Sequence, residues 1–239
     1  MLVMVTKLKG GAGATTICRE IATYAVQQGK NVALIDLDGQ GTLTNWWNRR
    51  DKNIPGPALL QLDILDIPAK AEAMRAKYDL VLIDTPPSVH HELGKLAGIA
   101  DQIIIPTRPT PDDLDTIGAV LRLVSGHSVS FVLSAVSSKR SIDAAQAEKL
   151  LSERGQVLGR TTNKTAFYRA AYDGLTANET DRTTAPEIKQ IYNNLVTEAT
   201  HDTAPKKQSG SKNGRTGSRG GKNRTGSKTP KVSRRTVKK

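Results

Sequence analysis

Five stretches of this chain are apolar in continuous rather than alternating fashion: Leu2–Thr6, Val32–Ile35, Leu80–Ile83, Ile103–Pro106 and Ser130–Val136. A strand with one face in water alternates apolar and polar residues. A strand that is apolar throughout is buried on both faces, which requires helices above and below its sheet. Amphipathic stretches between these runs supply the helices, at roughly 15–28, 64–77, 89–99, 111–125 and 143–153. A short strand is expected near Val157–Arg160, then helices near 165–173 and 186–199. This alternation predicts an α/β fold, a mostly parallel doubly wound sheet flanked by helices and joined by right-handed crossovers.

The 239 residues allow one such domain plus a tail. Charge separates the two. Residues 1–205 hold 22 Lys and Arg against 23 Asp and Glu, whereas residues 206–239 hold 13 Lys and Arg and no acid. The folded part, expected over 1–204, is therefore near neutral, and the net charge of +12 belongs to the tail, expected over 205–239. The tail is built of Lys, Arg, Gly, Ser, Thr and Asn, with Val232 and Val237 as its only apolar residues. Such a segment cannot bury enough surface to offset its ordering entropy, so it is expected to be disordered. One cysteine, Cys18, rules out a disulfide framework and makes a reducing cytosol the natural compartment. The run before Lys7 and Lys9 is too short for a signal peptide, and no stretch of about 18 apolar residues occurs, so a soluble protein is expected.

Between the first predicted strand and helix lies Lys9-Gly10-Gly11-Ala12-Gly13-Ala14-Thr15-Thr16. Glycines let backbone N–H groups curl around an anion, and the following helix N-terminus adds its dipole. These residues resemble the deviant Walker A motif of the partition ATPase superfamily, the ParA/MinD type, whose pattern is Lys-Gly-Gly-x-Gly-Lys-Thr-Thr/Ser. The resemblance implies ATP/ADP and Mg2+ as cofactors. It makes Lys9 the signature lysine that crosses a nucleotide-sandwiched dimer, Thr15 the magnesium-binding hydroxyl and Thr16 a phosphate contact. The motif's second lysine is missing, because Ala14 occupies its place. That ammonium would make charge-assisted hydrogen bonds of about 1.5–3 kcal/mol each to the phosphates. Where such a group also stabilises the transition state, its loss costs on the order of 100- to 1000-fold in rate. Nucleotide binding is expected to survive; efficient hydrolysis is not.

Two further strand ends carry acids. Leu34-Ile35-Asp36-Leu37-Asp38-Gly39-Gln40 places two carboxylates at i and i+2 at the sheet's carboxyl edge, where they either serve a ligand or cap the next helix. The resemblance, here to an Asp-x-Asp-Pro-Gln pattern with Gly39 for proline, implies that Asp38 positions the attacking water and Asp36 supports the metal. Tyr78–Pro87 looks like Walker B, an apolar strand delivering Asp84 to the metal's outer shell, with Pro86-Pro87-Ser88 opening a switch region. Ile105–Asp113 resembles a proline-rich strand exit before an interface helix, or is simply a stiff turn with Asp112 near a helix start. Trp46 and Trp47, adjacent on a helix, cannot both face a core, which makes one a candidate for a partner surface.

The resemblance spans residues 1 to about 200 and favours the short branch of the family, since a strand beginning at Leu2 leaves no room for an N-terminal helix-turn-helix. It implies a homodimer when nucleotide-bound, non-specific DNA binding and a ParB-like partner protein, in plasmid or chromosome segregation on the nucleoid. A non-hydrolysing DNA-bound recruitment factor of a conjugative transfer complex is the alternative. Lys206, Lys207, Lys212, Arg215, Arg219, Lys222, Arg224, Lys228, Lys231, Arg234, Arg235, Lys238 and Lys239 are the candidate DNA contacts, with Lys164, Arg169 and Arg182 as possible additions. No aromatic residue interleaves the tail, so base stacking is not suggested. Related classes fit less well. One cysteine cannot ligate a nitrogenase-reductase cluster, the tail has no apolar face for a membrane, and Asn163-Lys164-Thr165-Ala166 lacks the acid of a guanine reader.

Overall fold

The computed structural model describes residues 1–7, 9–87 and 91–202. Among these, seven strands form one sheet: β1 (Leu2–Lys7), β2 (Val32–Asp36), β3 (Ala58–Leu59), β4 (Leu80–Pro87), β5 (Gln102–Thr107), β6 (Val129–Val136) and β7 (Gln156–Thr162). Their order is β3-β2-β4-β1-β5-β6-β7, and every neighbouring pair is parallel. The helices are α1 (Ala14–Gln27), α2 (Thr42–Arg49), α3 (Ile67–Lys77), α4 (His91–Ala97), α5 (Pro111–Leu123), α6 (Ile142–Ser152), α7 (Ala166–Arg169), α8 (Ala177–Thr180) and α9 (Ala185–Asp202). The basic tail and Ser88 of the expected switch region lie outside the described residues.

The continuous apolar runs are explained by two cores. On β1, Leu2 and Met4 pack with α3, α4, α5 and α6, while Val3 and Val5 pack with α1, α2, α7, α8 and α9. Successive side chains point to opposite faces, and both faces are dry. The fold class read from the sequence is the observed one.

The differences are local. The helix expected from residue 64 starts at Ile67, because Asp63 turns the chain there by accepting from the Leu65 and Asp66 amides. The segment expected as one helix over 165–173 is α7 followed by a 3-10 turn over Ala170–Asp173. β3, two residues long, and α8, four residues long, carry no periodicity that a sequence could show. Trp46 is buried and donates Nε1–H to Leu175 O at 2.9 Å. Trp47 packs on its own chain rather than standing free: its Nε1–H reaches Pro57 O at 2.8 Å, and Lys52 Nζ lies 3.3 Å from its ring centre.

What fastens α8 is a buried acid on α1. Glu20 accepts from the Ala177 amide at 2.7 Å, the Asn178 amide at 3.0 Å and Asn178 Nδ2 at 2.9 Å. Burial raises the Glu20 carboxyl pKa and these donors pull it back. Glu20→Ala would strand the donors and leave a void, so a loss of about 2–4 kcal/mol in urea unfolding is expected. Glu20→Gln, which keeps the volume and an acceptor, is expected to lose less.

Candidate phosphate and metal site at the carboxyl edge of the sheet

The strand order places the site. β4 and β1 are neighbours, yet the chain leaves β1 for β2 on one side and leaves β4 for β5 on the other. A crevice opens where connections diverge in this way. The glycine loop fills it. Gly11 and Gly13 adopt φ of +82° and +91°, in the left-handed region that disfavours a side chain. At Gly11 a Cβ would also come within 3.3 Å of the Arg108 guanidinium. Ser134 on β6 donates to Ala12 O at 2.7 Å and pins the loop. Gly13 begins α1 without any side-chain cap, so the helix's first N–H groups are left open to an anion. Ala14, on the first turn, is buried.

The three carboxylates lie at this edge of the sheet, each with different contacts. Asp36 and Asp84 are register partners on β2 and β4. Asp84 is fully buried and accepts from Thr15 Oγ1 at 2.6 Å, which unites the loop with the Walker B strand end. Asp38 stands at the rim, accepting from the Gln40 amide at 3.1 Å. Asp36 uses its two oxygens on backbone, taking the Asp38 amide at 3.1 Å and the Thr44 amide in the first turn of α2 at 2.8 Å. The helix-capping role left open in the sequence is thus what Asp36 performs. Lys9 turns outward: its Nζ lies 3.3 Å from Asp113 and 3.7 Å from Asp112 at the start of α5. Asp113 is buried there, below the Thr110 cap. Lys164, a suggested addition to a DNA surface, is tied down by Thr183 and Glu187, whereas Arg169 and Arg182 are exposed.

Among the described residues no cluster of three or more His, Cys, Asp or Glu side chains could hold a metal alone. Mg2+ does not need one, since it commonly takes one or two protein oxygens and completes its shell with phosphate and water. The Thr15 hydroxyl and the Asp84 carboxylate stand side by side as two such oxygens.

Three elements of the site escaped the sequence. Lys7, at the end of β1, is buried and points between Asp38 and Asp84. Arg108, read only as part of a turn, covers Gly11. Beside the loop is a cleft of about 200 Å³ lined by Thr16, Ser134, Ala135, Thr161 and Phe167, in which Ala135 holds a φ of +52°, uncommon for a residue with a side chain. Lys7 could have been noticed as a cation ending an otherwise apolar strand; the place of Arg108 depends on the pairing of β5 with β1, and the cleft on that of β6 with β7. A roomier hollow of about 380 Å³ lies by β7, where Glu148 and Arg160 pair with each other and Glu187 pairs with Thr162.

A glycine loop entering a helix, with a hydroxyl and a strand-end carboxylate beside it, defines a P-loop nucleotide-binding protein. The chain belongs to the CobQ/CobB/MinD/ParA nucleotide binding domain family, whose model matches residues 3–177. It is 33% identical over 211 residues to the maintenance of carboxysome distribution protein A of Gloeobacter kilaueensis, covering 84% of this chain and 94% of that one. Among solved structures, the fold is similar to the MinC:MinD cell division protein complex of Aquifex aeolicus, at a TM-score of 0.70 and 19% identity, covering 87% of this chain and 99% of that one. It also resembles a putative plasmid partition protein of Borrelia burgdorferi bound to AMPPNP, at 0.66 and 16%, covering 82% and 98%.

Burial pushes the Asp84 carboxyl up to about 6, against the opposing pull of Lys7 and of the Thr15 hydroxyl. The folded chain therefore holds this proton more tightly than the unfolded chain does. The stability tied to it is full below about pH 4 and is lost as pH rises through about 6. In a chelating buffer the unfolding free energy from urea titration is expected to fall between pH 4 and pH 8, by at most about 3 kcal/mol, and Asp84→Asn is expected to flatten that step.

Proposed function

We propose that this chain is a nucleotide-switched positioning protein of the partition type. The observation that carries the reading is the 2.6 Å bond from Thr15 to Asp84 beside the uncapped start of α1, a donor set suited to a nucleotide's phosphates and their metal. In this reading Gly10, Gly11, Ala12, Gly13, Ala14, Thr15 and Thr16 cradle the phosphates through the backbone. Thr15 and Asp84 hold Mg2+, with Asp36 supporting them from behind through the turn it organises. Asp38, at the rim, positions the attacking water. Lys9 leaves Asp112 and Asp113 to meet the nucleotide of a second copy, closing a homodimer around ATP.

The domain over 1–204 is the switch, and the tail over 205–239 is its DNA-holding part. Thirteen cations among small polar residues suit phosphate contact without sequence preference. A ParB-like partner would couple the dimer to its cargo and trigger release, in the cytoplasm and on the nucleoid. The named relatives support this class of work, since one maintains carboxysome distribution and another is described as a plasmid partition protein. Among the described residues no helix is long and apolar enough to cross a membrane.

A second reading is favoured by Ala14: a DNA-bound scaffold, as in a conjugative transfer complex, that binds nucleotide without turning it over. Steady-state phosphate release with DNA and partner, on this chain and on Ala14→Lys, separates the two. Turnover only in Ala14→Lys would favour the scaffold.

Light scattering is expected to show a dimer with ATP and Mg2+ and a monomer without. Anisotropy with a random DNA duplex is expected to weaken with salt at a logarithmic slope of about −6 if half of the tail's cations engage. Deleting residues 206–239 is expected to remove most of that binding; binding that persists unchanged without the tail would defeat the DNA assignment.

A further inference from the structure

Among the described residues, Lys7 is the cation turned into the site. Its side chain is 7% exposed, against 49% for Lys9, which is engaged outward with Asp112 and Asp113. Arg108 is exposed and lies on the side of Gly11. Lys7 Nζ donates to the Thr85 carbonyl at 2.8 Å, a full hydrogen bond. It stands 3.4 Å from both Asp38 Oδ2 and Asp84 Oδ1, at the loose end of hydrogen-bonding range. The ammonium is thus anchored by one carbonyl and shared loosely between two carboxylates. Thr15 grips the other oxygen of Asp84. The ammonium therefore faces both the buried acid and the acid at the rim.

We propose that Lys7 is the phosphate-binding ammonium of this site, supplying from the end of β1 the charge that Ala14 does not. The proposal rests on the nucleotide reading above. Lys has three donors on a flexible four-carbon stem. One can stay on the Thr85 carbonyl while the other two turn from the carboxylates to phosphate oxygens. Divalent charge at Thr15 and Asp84 would loosen the carboxylates' hold and favour that turn. The ammonium would meet the phosphate end nearest Asp38, so it should matter more for ATP than for ADP.

The test is a titration of the full chain with fluorescent mant-ATP and mant-ADP in Mg2+, on the parent, Lys7→Met, Ala14→Lys and the double variant, each checked for folding by its melting curve. Lys7→Met is expected to weaken mant-ATP binding by about 10- to 100-fold in the parent and to cost under about threefold once Ala14→Lys provides another ammonium. Lys7→Gln, gentler on the fold, is expected to behave as Lys7→Met does. Should Ala14→Lys not fold, the contrast is read from the nucleotides: a larger loss for mant-ATP than for mant-ADP supports the proposal, and equal losses overturn it. Unchanged binding in Lys7→Met overturns it, as does an equal loss in both backgrounds, which would make Lys7 a partner of the carboxylates alone. Binding by Ala14→Lys but not by the parent sinks the role of Lys7 and leaves the nucleotide site standing. Folded parent and Ala14→Lys proteins that both fail to bind would overturn the site as well.

Discussion

The arrangement depends on a carboxylate delivered to the end of a strand that is dry on both faces. Asp84 can occupy that position only because β4 lies between β2 and β1, whose ends bring a helix-capping acid on one side and a lysine on the other. An unpaired charge there would cost several kcal/mol, and a one-residue slip of the parallel register would put Ile83 or Thr85 where the carboxylate now meets the hydroxyl of Thr15. The packing of two apolar layers against β4 and the chemistry at its end are therefore one constraint.

That constraint explains how much could be read from the chain alone. Every strand buried on both faces announced itself by an unbroken apolar run, and the loop by its glycines, so the sheet and its loaded edge were legible. The acids at strand ends were legible as a set but not as individuals. Asp36 and Asp38 are two residues apart, yet one is spent on the amides of Asp38 and Thr44 while the other faces the rim. Their division of labour depends on where α2 starts, which periodicity does not fix. Lys7 was hidden for a similar reason: nothing local says whether a lysine ending a strand points to water or inward, and its partners are 31 and 77 residues away.

Charge also distinguishes the two lysines that flank the loop. Lys9 leans on acids of α5 at a half-exposed surface, where an ion pair is worth little and can be exchanged for a new partner cheaply. Lys7 sits where water is scarce and its partners are fixed by the sheet. Lys9 can therefore exchange its partners cheaply while Lys7 stays inside the site, although they are two positions apart.

The anchoring of α8 by Glu20 has a mechanical result. α1 is about 21 Å long at the usual rise per residue. It receives the glycine loop at its first turn, holds Ala177 and Asn178 midway, and touches α9 through Tyr24 and Tyr192, whose rings are 5.3 Å apart. A tilt or slide of this rod would drag the carboxyl-terminal layer with it, because the acid that joins them is buried and has no water to exchange partners with. The last described helix, α9, is in this sense yoked to the glycine loop.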